Sequence, residues 1–198
     1  MNYDIYRDGE EIFEYSKLEN AIYELSSFEY SVNLLKKKFA KQFDYYFFLD
    51  WNNYFQVRNE YEALIQVLNE NNDSAFFISC PQFYRMYPLK IFKECPFEIY
   101  KKASSYTIDE TKGHYMEGVG FSGKLEVFTF SEKGTWAMIH DDPNNIVIVG
   151  ADNSAKVAFD KYMQQFIIEL RDIVSFFEKR HQVFLNDSTK DLFFKNFT

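Results

Sequence analysis

From Lys124 to Gly150 short apolar runs alternate with polar turns: KLEVFTF, SEKG, TWAMIH, DDPN and NIVIVG. Leu125–Phe130, Thr135–His140 and Asn145–Val149 are rich in β-branched and aromatic residues, and turn formers bound each run. Connections this short require antiparallel neighbours, so the stretch predicts a three-stranded meander. With four residues in each loop, Phe130 pairs with Thr135 and His140 with Asn145. Phe128, Phe130, Ala137, Ile139, Ile146 and Ile148 then share one face. Val127, Thr129, Trp136, Met138, Val147 and Val149 share the other. Both faces are apolar. A sheet with one wet face alternates more cleanly, so this one is expected to be covered on both sides, by the rest of the chain or partly by a partner.

Elsewhere the apolar period lengthens. Leu18, Ile22, Leu25, Val32, Leu35, Phe39 and Phe43 recur at steps of three, four and seven, which predicts a long N-terminal helix. Ser16 and Glu19 fit a capping box, and Ser26-Ser27 marks a candidate break. Tyr45–Leu49 reads as a buried strand, Asp50-Trp51-Asn52-Asn53 as a turn, Arg58–Asn69 as a helix and Ala75–Ser79 as a second strand. This strand–helix–strand order suits a small crossover unit. Between Phe83 and Ser105 the pattern is interrupted by Pro88 and Pro96, with a short helix expected from Pro96-Phe97-Glu98 through Lys102. Residues 106–123 hold four of the seven glycines and read as loop, with Tyr115–Phe121 a candidate strand.

After the meander Asp152-Asn153-Ser154 offers helix caps. Phe159, Met163, Phe166, Leu170, Ile173 and Phe177 then form one stripe, which predicts a single long helix to about Arg180 as the cover of one sheet face. Ser188 suits the cap of a last short helix carrying Leu192, Phe193 and Phe197, and this tail is expected to dock on the body. The fold class that follows is α+β. An antiparallel meander with additional short strands is packed by long N- and C-terminal amphipathic helices, in one domain spanning residues 1–198.

The chain is 46% hydrophobic and 26% charged, ordinary proportions for a globular protein. Twenty-three Phe and fifteen Tyr are many, but their spacing is that of core residues, so composition alone does not make them a platform for bases or sugars. The net charge of −8 argues against a nucleic-acid partner, which needs Lys and Arg against phosphate, and permits a basic protein partner. Lys36, Lys37, Lys38 and Lys41 are a phosphate patch or, more simply, cations favoured by a helix C-terminus. Cys80 and Cys95 have no metal-ligand spacing and read as free thiols of a reducing cytoplasm, with a bridge between them left open. No apolar run approaches a membrane span, and no signal peptide is read.

Candidate chemistry is sparse. His140 precedes Asp141-Asp142, a pairing that suits a general base or a metal, but adjacent strand residues face opposite ways. An acidic turn bonding its own backbone is the simpler account. His114 and Glu117 lie in the Gly-rich stretch. Gly118, Gly120 and Gly123 lack the strand and helix of a dinucleotide fingerprint. No cofactor or metal is expected.

The residues Gly134-Thr135-Trp136-Ala137, the acidic turn and Ile146–Asp152 resemble small bacterial immunity proteins of polymorphic-toxin and contact-dependent-inhibition systems. The resemblance covers roughly a quarter of the chain. It implies a cytoplasmic module that blocks a toxin by occupying its active site or a nearby surface. Its expected partner is a basic toxin domain, with Asp141, Asp142, Trp51, Tyr54, Glu10 and Glu11 as contact residues and exposed Tyr87 a further candidate. A small enzyme with His114, Glu117 and His140 around one pocket is the alternative reading, and a structural or regulatory subunit is a third.

Overall fold

A computed structural model describes residues 18, 21–22, 39–50, 57–79, 89–102, 126–141, 146–181 and 186–197. Seven strands form one sheet: β1 (Tyr45–Asp50), β2 (Ala75–Ser79), β3 (Leu89–Phe92), β4 (Glu126–Ser131), β5 (Trp136–Asp141), β6 (Ile146–Ala151) and β7 (Ile167–Ile168). Their spatial order is β3-β2-β4-β5-β6-β1-β7, and every neighbouring pair is antiparallel. The helices are α1 (Arg58–Glu70), α2 (Asn153–Met163), α3 (Ile173–His181) and α4 (Asp187–Phe197), with helical residues also at 97–102.

The meander occupies the centre as expected, with a small correction of register. Phe130 pairs with Ala137 and His140 with Val147, one residue further into each strand than four-residue loops between Phe130–Thr135 and His140–Asn145 require. Because each strand moves by one, the parity of the pairing is unchanged and every side chain keeps its face. Val127, Trp136, Met138, Val147 and Val149 lie in one core with α1 and α2, which contribute Tyr61, Leu64, Leu68, Ala155, Phe159 and Met163. Phe128, Phe130, Ala137, Ile139, Ile146 and Ile148 lie in the other, with Ile22, Phe39, Phe43 and Ile173. Both faces are therefore covered by the chain itself.

β1 and β2 are parallel, since four antiparallel steps separate them, yet they are not adjacent. The crossover through α1 spans the three meander strands, so it is wider than a unit with paired strands. The expected helix at 97–102 is present, and β3, which prolines had obscured, adds an edge strand to β2.

The single long helix after the meander is overturned. α2 stops at Met163; Gln164–Phe166 tightens into a 3₁₀ turn and Ile167–Ile168 adds to the edge of β1. The chain then begins α3 on the opposite face. Phe159 and Met163 pack with Trp136, whereas Ile173 packs with Phe128 and Ile148. One helical stripe in the sequence thus serves two cores, because the chain wraps the sheet edge between them. Near the N-terminus Leu18, Ala21 and Ile22 are helical, but Phe39 and Phe43 are not, although both are buried. The rest of the expected N-terminal helix, Ser16, Ser26-Ser27 and Tyr115–Phe121 lie outside the described residues. The last helix forms, with Asn186 rather than Ser188 before its first residue and Phe194 packed against the second core. Ser188 instead donates to Asn186 Oδ1 at 2.7 Å.

Residues 39–44 strap one end of the sheet. Lys41 Nζ donates to the Gly134 carbonyl at 2.6 Å and to Asp152 Oδ2 at 2.8 Å. Asp152, the residue before α2, makes no side-chain cap bond. Asp44 Oδ2 instead accepts from the Asn153 backbone N–H at 3.0 Å, capping α2 from a distant part of the chain. The Phe43 ring packs against Gly150: a Cβ there would sit 2.3 Å from Phe43 Cδ2. Gly150→Ala is therefore expected to lower stability by about 1–3 kcal/mol through overpacking, read as a lower urea midpoint. An unchanged midpoint would mean that the strap yields freely.

Candidate functional site

The two ends of the sheet differ in chemistry. At one end the register aligns Glu126 with Asp141, Asp141 with Ile146, and Ile146 with Asp50. Three acidic residues thus share a single row across β4, β5, β6 and β1. Strand spacing puts Asp141 and Asp50 about 10 Å apart along it. Asp50 is exposed. The peptide chain continues from Asp50 directly into Trp51 and from Asp141 directly into Asp142. Of the expected contact residues, Asp141 is the last residue of β5, while Asp142, Trp51, Tyr54, Glu10 and Glu11, like Tyr87, lie outside the described residues. The topology brings Asp141 and Asp50, which precede Asp142 and Trp51 in the chain, to the same sheet end, which their sequence separation conceals.

His140 stands one position from this row and belongs to the core. Its Nε2 is 3.0 Å from Thr129 Oγ1, a residue two positions along the neighbouring strand, and only 3% of the residue is exposed. Burial pushes the imidazole down to about 3, so it is neutral at ordinary pH. A neutral, enclosed ring held by a hydroxyl is a core element rather than a solvent-reachable base. His114 and Glu117 lie outside the described residues.

The opposite end holds a polar cluster that sequence reading missed. α1 ends in a Schellman-type cap: Asn72 has φ of 55°, its N–H reaches the Asn69 carbonyl at 3.2 Å, and the Asp73 N–H reaches the Leu68 carbonyl at 2.9 Å. Lys133, in the β4–β5 turn, donates from Nζ to the carbonyls of Asn71 (3.1 Å) and Asn72 (2.5 Å), which places a cation at the negative end of the helix. The turn itself needs Gly134 at φ +67°, and Thr135 N–H donates to Ser131 Oγ at 2.8 Å. Glu132 accepts from Ser74 and from Lys90 Nζ (3.0 Å). Burial pushes the Glu132 carboxyl up, but those hydrogen bonds outweigh it and the net shift is downward.

Inside this ring of contacts lies Asp73, with no exposed surface. Neither carboxylate oxygen has a hydrogen-bond partner, and Trp136 Nε1 and Asn71 Nδ2 are likewise buried and unpaired. The indole and the Lys133 backbone lean toward Asp73 and favour its ionised form, without completing a bond. Desolvation dominates and pushes Asp73 up to about 6. The only sequence sign was the run Asn71-Asn72-Asp73-Ser74 after a helix, where Asn replaces the usual Gly at a left-handed position.

Among the described residues no group of three or more His, Cys, Asp or Glu is placed to hold a metal ion, and no helix is long and apolar enough to cross a membrane. No family model, no curated protein and no solved structure matches the chain. The fold and its two polar ends thus carry the functional argument by themselves.

Proposed function

We propose that the protein is an acidic, cytoplasmic protein-binding module of the bacterial immunity kind, which neutralises a basic toxin domain by direct contact. The observation that supports this reading is the acidic row Glu126–Asp141–Asp50, from which the chain runs on into Asp142, Trp51 and Tyr54. Carboxylates at a sheet end, on a chain of net charge −8, steer a basic surface into place. Trp51 and Tyr54, which follow Asp50 in the sequence, are of the residue types that anchor interfaces. Glu10 and Glu11 near the N-terminus add to the acidic charge of the chain.

The test begins with capture of partners from the cell of origin by the tagged full-length chain at low and high salt. Affinity is then measured with the purified partner. Reversing Asp50, Glu126, Asp141 and Asp142 to Lys is expected to weaken binding about 10–100-fold at low salt, mainly through a slower on-rate, and to flatten its salt dependence. Circular dichroism checks that the variant is folded. Unchanged affinity and salt slope would remove the acidic end from the interface.

A further inference from the structure

We propose that the Asp73 carboxyl group is a proton-operated latch, which fastens the β4–β5 turn to the C-terminal cap of α1 when protonated and loosens it when ionised. Nothing in it depends on the acidic row at the other end of the sheet.

Geometry carries it. The left-handed Asn72 turns the chain so that Asp73 points inward rather than to solvent. The carboxyl then lies under the turn it must hold, beside Trp136 of β5, with both oxygens unpaired. A carboxylate accepts hydrogen bonds only, so the ionised form buries two unanswered acceptors and a charge. The acid form removes the charge, and its carbonyl oxygen still faces the donors of the Trp136 indole and the Lys133 backbone.

The charged groups around it are few among the described residues. From the turn, Lys133 favours the ionised form and Glu132 the protonated one. Lys90 of β3 is committed to Glu132. Glu70 of α1 is committed to Lys161 and Tyr162 of α2. Ser74, the residue before β2, donates to Glu132. No cation among the described residues therefore pairs directly with Asp73, and Lys133 Nζ spends its hydrogen bonds on the helix carbonyls.

The sign follows from the upward shift. The carboxyl takes its proton from solvent at a higher pH when folded than when exposed. The latch is at full strength below the ordinary value of 3.8 and is lost as pH rises through about 6.

The experiment follows the Trp136 indole N–H by NMR in the full-length chain carrying Trp51→Phe, from pH 4.5 to 8. The expected result is a titration with its midpoint near 6. Hydrogen exchange at Lys133–Trp136, corrected for intrinsic rates, should show opening that increases about tenfold or more across the same range. Asp73→Asn should abolish both effects. Glu132→Gln should move the midpoint down and Lys133→Met should move it up, so the test survives if Asp73→Asn does not fold. A flat indole profile, a titration retained in Asp73→Asn, or shifts of the wrong sign would overturn the latch.

Discussion

Replacing Trp136 by Ala is expected to lower stability by about 3–5 kcal/mol, the upper range for truncation of a single core side chain. The indole is fully buried where the sheet meets α2. It meets the Phe159 ring edge-on at 5.8 Å, and Phe159 in turn meets Phe47 edge-on at 5.4 Å. Those three rings join β5, α2 and β1, so loss of the indole opens a cavity where they meet. Denaturant unfolding should show a lower midpoint with a similar slope. Trp136→Phe should cost less, because a ring remains against Phe159. A loss below about 1 kcal/mol for the Ala variant would show that the surrounding core collapses into the space.

Stability against pH should reveal two buried groups working against each other. His140 is held down to about 3, from an ordinary 6.5. In the unfolded chain it binds a proton first, so its contribution is lost as pH falls from 6.5 toward 3, by up to about 4–5 kcal/mol. Asp73 is raised to about 6 from 3.8, so its contribution is lost as pH rises through about 6, by up to about 3 kcal/mol. Between roughly pH 4 and 6 the two slopes cancel. Asp73→Asn should therefore expose the full acid sensitivity due to His140. His140→Gln should expose the opposite trend, with stability rising on acidification. Other carboxylates contribute a background common to all three proteins, which differencing the profiles removes. Parallel profiles for the parent chain and both variants would refute the opposition.

How much of this was legible depended on the range of the interactions. Alternation in β4, β5 and β6 placed all twelve meander residues on their faces, because parity is a property of each strand alone. The register was displaced by one residue per strand, because it depends on how the chain turns at Ser131–Gly134, where Thr135 bonds the Ser131 hydroxyl. Phe159 to Phe177 reads as one helical stripe, since both halves are apolar at helical spacing. Periodicity carries no information about which sheet face each half meets. The same limit hid the acidic row, whose members Asp50 and Asp141 meet only through the order of strands. Asp73 was invisible for another reason: burial of a lone carboxylate after a helix is a tertiary event, and Asn71-Asn72-Asp73-Ser74 reads locally as an ordinary polar turn.

The parallel placement of β1 and β2 around the meander has a consequence for how the molecule is made. β1 leaves the ribosome early, yet its two neighbours are β6 and β7, which begin at Ile146 and Ile167. Until those arrive, Phe47, Phe48 and Leu49 have unpaired backbones on both sides and no sheet to enter. β1, α1 and β2 must wait with a gap of three strands between them, and the meander closes it like a keystone. Synthesis that pauses before residue 146 would leave an apolar strand open to other chains, so the nascent protein is most exposed to aggregation through its first strand.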